Sequence, residues 1–60
     1  MPLEELRGYC KEVIKDYPKI ESDIVELFTL CVSEIEEGGS ESHEVELCLG
    51  DIEELIENYE

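Results

Sequence analysis

Sixty residues carry 18 carboxylates against 4 basic side chains, a net charge of −14, yet 42 % of them are hydrophobic, too many for a disordered acidic tail. A chain this short buries only about 60 % of the surface its unfolded form exposes, which leaves little room for an enclosed substrate pocket and argues against an enzyme. The charge opposes any direct approach to nucleic acid or to an anionic membrane, so a basic protein surface is the expected partner.

The chain opens Met1-Pro2-Leu3-Glu4-Glu5-Leu6-Arg7, with neither a basic n-region nor an apolar h-region, and no later run approaches the 18 apolar residues of a membrane span. A cytoplasmic protein is expected. Leu3, Leu6, Cys10, Val13, Ile14 and Tyr17 then recur at helical spacing, predicting an amphipathic helix over about residues 3–17. Pro2 suits the first turn, Glu4 and Glu5 suit the positive end of the helix dipole, and Pro18 stops the helix by pushing Tyr17 out of the α region. Arg7, Lys11, Lys15 and Lys19 stand four apart along one edge, the full basic complement of the chain.

A second helix is predicted over about residues 20–37. Ile20, Ile24, Leu27, Phe28, Cys31 and Ile35 form its stripe, with Val25 and Val32 on one flank and Leu30 on the other. The apolar arc is roughly 220° wide, against the ~100° that suffices for a helix packed on one side. Such a helix is central, or it meets a further partner. Ser22 or Glu21 is the expected shaper of its first turn.

Gly38-Gly39 is the expected stop, one or both in the left-handed conformation, and Ser40, with Ser42 as competitor, is the expected N-cap of a third helix over about residues 41–59. A connection this short turns the third helix back antiparallel to the second. Val45, Cys48, Ile52, Leu55, Ile56 and Tyr59 make the third stripe, while Leu47 points nearly opposite to it. Gly50 interrupts the pattern, and the carboxylates Asp51, Glu53, Glu54, Glu57 and Glu60 fill the polar surface. Acids at the C-terminal end oppose the helix dipole, so the last turn is expected to fray. Three such helices imply one all-α domain over residues 1–60, an antiparallel three-helix bundle.

No reaction is spelled out by these residues. Cys10, Cys31 and Cys48 fall one per helix at apolar positions and match no zinc spacing. They read as small core hydrophobes of a reducing compartment, and Cys31 and Cys48 should lie at about the same height. His43 lacks the second histidine of a metal-binding helix and stands in the first turn of the third helix. No cofactor is called for.

Charge is the remaining signal. Residues 1–19 hold four acids and four bases, whereas residues 20–60 hold fourteen acids and no base. The candidate partner-binding set is Glu34, Glu36, Glu37, Glu41, Glu44, Glu46, Asp51, Glu53, Glu54 and Glu57. Three readings stay open: a solvated face that only confers solubility, a carboxylate surface that docks on a basic partner as a nucleic-acid mimic would, and a calcium or magnesium site. The last is disfavoured, because helical carboxylates diverge and no calcium loop is present. Val25, Leu30, Val32 and Leu47 offer a different use, a homodimer or a structural assembly joined through apolar positions left uncovered.

The segment from Ser33 through Glu34-Ile35-Glu36-Glu37-Gly38-Gly39-Ser40 to Asn58 resembles short acidic helical proteins of unassigned function encoded by tailed bacteriophages. That resemblance implies a role in the cytoplasm of an infected bacterium, where small acidic phage proteins inhibit or redirect host machinery. It carries over no functional residue.

Overall fold

A computed structural model describes residues 1–59. Three α-helices, α1 (Leu3–Asp16), α2 (Glu21–Glu36) and α3 (Glu41–Tyr59), form an all-α three-helix bundle, and a 3-10 turn (Pro18–Ile20) links the first two. Glu60, placed by its sequence on the polar surface of the third helix, lies outside the described residues. The molecule measures 33 × 18 × 17 Å, and α3, about 28 Å long at 1.5 Å per residue, runs most of that length.

The core is assembled from the three stripes. Leu6, Cys10 and Val13 of α1, Ile20 and Ile24, Cys31 of α2, and Val45, Cys48 and Ile52 of α3 are buried together. Leu6, Ile24 and Ile52 have no exposed surface at all, one from each helix, so the centre is apolar contact from all three sides. Leu3, Ile14, Tyr17, Leu27, Phe28, Ile35, Leu55 and Ile56 pack around it half-buried, as does Tyr9, which the stripe reading omitted.

The joints differ in detail from expectation. Pro2 lies one residue ahead of α1 in extended backbone, where its carbonyl accepts from the Glu5 and Leu6 amides at 3.1 Å each. Neither Glu21 nor Ser22 caps α2. Its entry is a backbone device instead: the 3-10 turn, in which the Ile20 amide donates to the Tyr17 carbonyl at 3.1 Å, runs directly into Glu21. Proline at the first position of that turn supplies the φ the turn needs.

At the far end, α2 closes in a Schellman motif. The Gly39 amide donates to the Glu34 carbonyl at 2.9 Å and the Gly38 amide to the Ile35 carbonyl at 3.1 Å, which satisfies two carbonyls that the helix end would leave orphaned. The two glycines serve different ends. Gly38 takes the positive φ of 109°, whereas a Cβ on Gly39 would sit 2.8 Å from the Glu34 oxygen and 3.2 Å from Glu44 Cγ. Ser40 follows at the mouth of α3, where its hydroxyl lies 3.3 Å from that of Ser42, pairing the two candidate caps with each other. Gly50 meets no neighbour, so it marks no close helix contact.

α3 stays helical to Tyr59. Tyr59 meets Tyr17 edge-to-face, with ring centres 5.5 Å apart and planes at 86°, tying the end of α3 to the end of α1.

Candidate functional site

The up-down-up course of the chain sets the N-termini of α1 and α3 beside the C-terminus of α2. There one oxygen of the Glu41 carboxylate accepts from the Leu3 amide at 2.9 Å. Leu3 is the first residue of α1, so a carboxylate from 38 residues away satisfies an orphan amide at the positive end of a helix dipole. Glu41 therefore has an internal partner, one that spacing along the chain does not reveal.

The remaining acids divide among several faces. Glu34, Glu44, Asp51 and Glu54 line the groove between α2 and α3. Glu36 borders a different hollow, with Phe28, Thr29, Val32 and Ser33. Glu53 faces toward α1, close enough for its charge, second to burial, to push the Tyr9 hydroxyl above its ordinary value. Glu37 forms the C-terminal cap position of α2, and Glu46 and Glu57 are exposed on α3.

The α2–α3 groove also takes in two acids outside the candidate set, Asp23 and Glu26. On α2 the lining runs Asp23, Glu26, Leu27, Leu30, Glu34; on α3 it runs Glu44, Leu47, Asp51, Glu54, Leu55, Asn58. Along each helix the lining recurs at steps of three or four, with Glu26-Leu27 and Glu54-Leu55 as adjacent pairs, a spacing that keeps the side chains on one face. Leucines form the floor and carboxylates the rim. Leu30 is 55 % and Leu47 53 % exposed, unusual for large apolar side chains lying in one groove, and the volume at its wider end is about 450 Å³.

The other side of α2 has a similar floor with a different rim. Leu3, Val25, Phe28 and Val32 lie there beside Arg7 and Lys11 of α1. Val25 is 51 % exposed, and Val32 is half-buried.

The three thiols are free and buried in the core. Cys48 can donate its proton to the Leu27 carbonyl, 3.6 Å away, or to Cys31, which confirms that the two cysteines face each other at one height. Burial, with Cys31 and Cys10 nearby, pushes the Cys48 thiol up to about 12. Burial raises Cys10 and Cys31 as well. A thiol held protonated is a poor nucleophile, and all three pack in the apolar core. His43 is exposed at the start of α3.

Among the described residues no group of three or more His, Cys, Asp or Glu is arranged to hold a metal ion, no polar or charged side chain is buried, and no helix is long and apolar enough to cross a membrane. The surface between α2 and α3 is an open, acid-rimmed groove. No protein-family model matches the chain, and no curated protein or solved structure matches it.

Proposed function

We propose that this chain is a small non-enzymatic binding module whose acidic α2–α3 side docks on a basic surface of another protein, occupying a site that would otherwise hold nucleic acid. The observation that carries this reading is the division of charge: all fourteen surplus carboxylates follow residue 19, where no lysine or arginine accompanies them. Solubility alone needs a net charge of only about 2–8 in a small domain. A surplus beyond that, concentrated on two adjacent helices, speeds encounter with a basic partner and repels acidic ones. The resemblance to phage proteins implies an infected bacterial cell as the setting for that partner.

The test is salt-graded capture. Immobilised protein should retain basic partners at about 0.05 M salt and release most of them by about 0.5 M, as Debye screening shortens from roughly 14 Å to 4 Å. Added DNA should compete for the same partners. Retention indifferent to salt and to DNA would overturn the reading.

Val25 supports a second one. It is exposed on the α1 side of α2, next to half-buried Phe28 and Val32, a setting that suits association between copies or within a structural assembly. Sedimentation at high micromolar concentration separates the two, because a persistent monomer removes self-association.

A further inference from the structure

We infer that the α2–α3 groove seats one amphipathic helix of the partner, with an apolar stripe laid on Leu30 and Leu47 and lysines or arginines on both of its flanks. This inference deepens the docking function proposed above and rests on it. It adds the conformation of the occupant, the side chains that anchor it, and the place where it lies.

Shape argues for a helix. Two antiparallel helices leave between them a straight furrow whose ridges repeat every three or four residues, and the same repeat on a third helix fits them at an axial separation of 8–10 Å. The lining covers eleven rises on α2, from Asp23 to Glu34, and fourteen on α3, from Glu44 to Asn58. At 1.5 Å per residue that is about 16–21 Å, the length of three to four helical turns. α1 packs against the other side of both helices, so none of the described residues covers this furrow.

Chemistry fixes which kind of helix. An apolar helix would cover Leu30 and Leu47 but would bring bare backbone and apolar flanks against Asp23, Glu26, Glu34, Glu44, Asp51 and Glu54, stripping water from carboxylates with nothing in return. A basic extended segment would meet the carboxylates but alternate its side chains to opposite faces, leaving the leucines half covered. A helix with apolar residues at i, i+3, i+4 and i+7 and bases beside them meets both at once, the helix-in-groove mode with complementary charge. A second copy of this chain is the poorer occupant. Its α1 has a basic edge, but the whole copy brings a further net charge of −14 to the contact.

The probe is a labelled synthetic peptide of roughly 14 residues with leucines at helical spacing and Lys and Arg between them, set against a scrambled peptide of equal composition. Binding is read by fluorescence anisotropy and by amide shifts in the protein. The striped peptide should bind at least about tenfold more tightly and shift amides of α2 and α3 around Leu30 and Leu47. L30A with L47A should weaken it about tenfold by removing the floor without altering charge. D51N with E54Q should weaken it by a similar factor and flatten its salt dependence. E36Q with E53Q removes the same charge from other faces and should change affinity by less than about twofold.

Equal weakening by the two charge pairs, or equal binding of the scrambled peptide, overturns the groove while leaving acidic docking intact. Binding by neither peptide also overturns the groove, and only failure of the salt-graded capture as well would take the docking function with it. Sedimentation showing the chain pairing with itself through Leu30 and Leu47 makes a second copy the occupant and overturns the inference.

Discussion

The two sides of α2 have similar floors and different rims. Toward α1, Val25, Phe28 and Val32 lie beside Arg7 and Lys11; toward α3, Leu27 and Leu30 lie among Asp23, Glu26, Asp51 and Glu54. Apolar burial built both sides, since the wide arc of α2 has to reach two neighbours at once. Charge then separates them. On the α1 side acids and bases are in balance along the helix, and on the α3 side nothing neutralises the carboxylates. The same central helix thus serves as a structural spine on one flank and as one wall of a binding groove on the other.

The most forceful way to break that comparison is to show that the groove belongs to the core. Ile52 is fully buried, and Ile52→Ala should cost about 2–5 kcal/mol, most of the stability that a domain of this size commands. Leu30→Ala and Leu47→Ala remove side chains that are more than half exposed and should stay within about 0.5 kcal/mol of the parent. Urea unfolding followed by circular dichroism measures all three. Leucine variants that fall as far as Ile52→Ala would mean that the groove holds the bundle together and is not spare surface.

The turn that joins the walls of the groove gives the next largest effect. Gly39→Ala drives a Cβ to 2.8 Å from the Glu34 carbonyl oxygen, a backbone atom fixed by its own hydrogen bond, and should cost more than Gly38→Ala, where only the φ of 109° is strained by about 1–2 kcal/mol. Gly50→Ala meets open space in mid-helix and should stabilise by up to about 1 kcal/mol. Thermal melts of the three variants rank them. A Gly39→Ala protein as stable as its parent would show that the turn can relax, and with it the angle between α2 and α3.

How far the sequence reaches is visible in these same residues. Stripes of three and four read out the helices and the core triad of Leu6, Ile24 and Ile52, because burial follows periodicity. The exposure of Val25 and Leu30 was legible for the same reason, as the flanks of an arc wider than two neighbours could cover, and that of Leu47 as a residue pointing away from the α3 stripe. The separate duties of Gly38 and Gly39 were not, since the second depends on where a carbonyl five residues back comes to rest. The groove was only half legible. Grouping acids by adjacency along the chain missed Asp23 and Glu26, which a face-by-face reading at spacings of three and four from Leu30 would have caught. The same grouping joined Glu36 and Glu53 to carboxylates that lie on other faces.

Alkaline pH probes the interior that both flanks share. All three thiols are raised by burial, Cys48 to about 12, so between the ordinary thiol value of 9.0 and that level the unfolded chain releases protons that the folded chain keeps. The stability due to those thiols is intact below about pH 9 and falls as pH rises through that window. The melting temperature should decline above pH 9, and a Cys48→Ala variant, though less stable throughout, should decline less steeply. Equal slopes would mean that Cys48 ionises as freely in the fold as out of it.

The smallest effect bears on whether every carboxylate of the acidic side is equivalent. Removing almost any one of them should relieve repulsion. Glu57, two residues from the end of α3, also sits against the negative end of the helix dipole, so Glu57→Ala should stabilise by about 0.3–1 kcal/mol at low salt. Glu41→Ala relieves repulsion too, but it strips the Leu3 amide of its acceptor and the start of α1 of a favourable charge, and should destabilise by about 0.3–1 kcal/mol. Salt distinguishes the two contributions. The gain from Glu57→Ala should fade as repulsion is screened, whereas the part of the Glu41 loss that comes from a missing hydrogen bond at 2.9 Å should persist. Two variants of equal charge moving in opposite directions would separate a carboxylate that ties α3 to α1 from those that only add to the field. Two that move together would return Glu41 to the solvated surface.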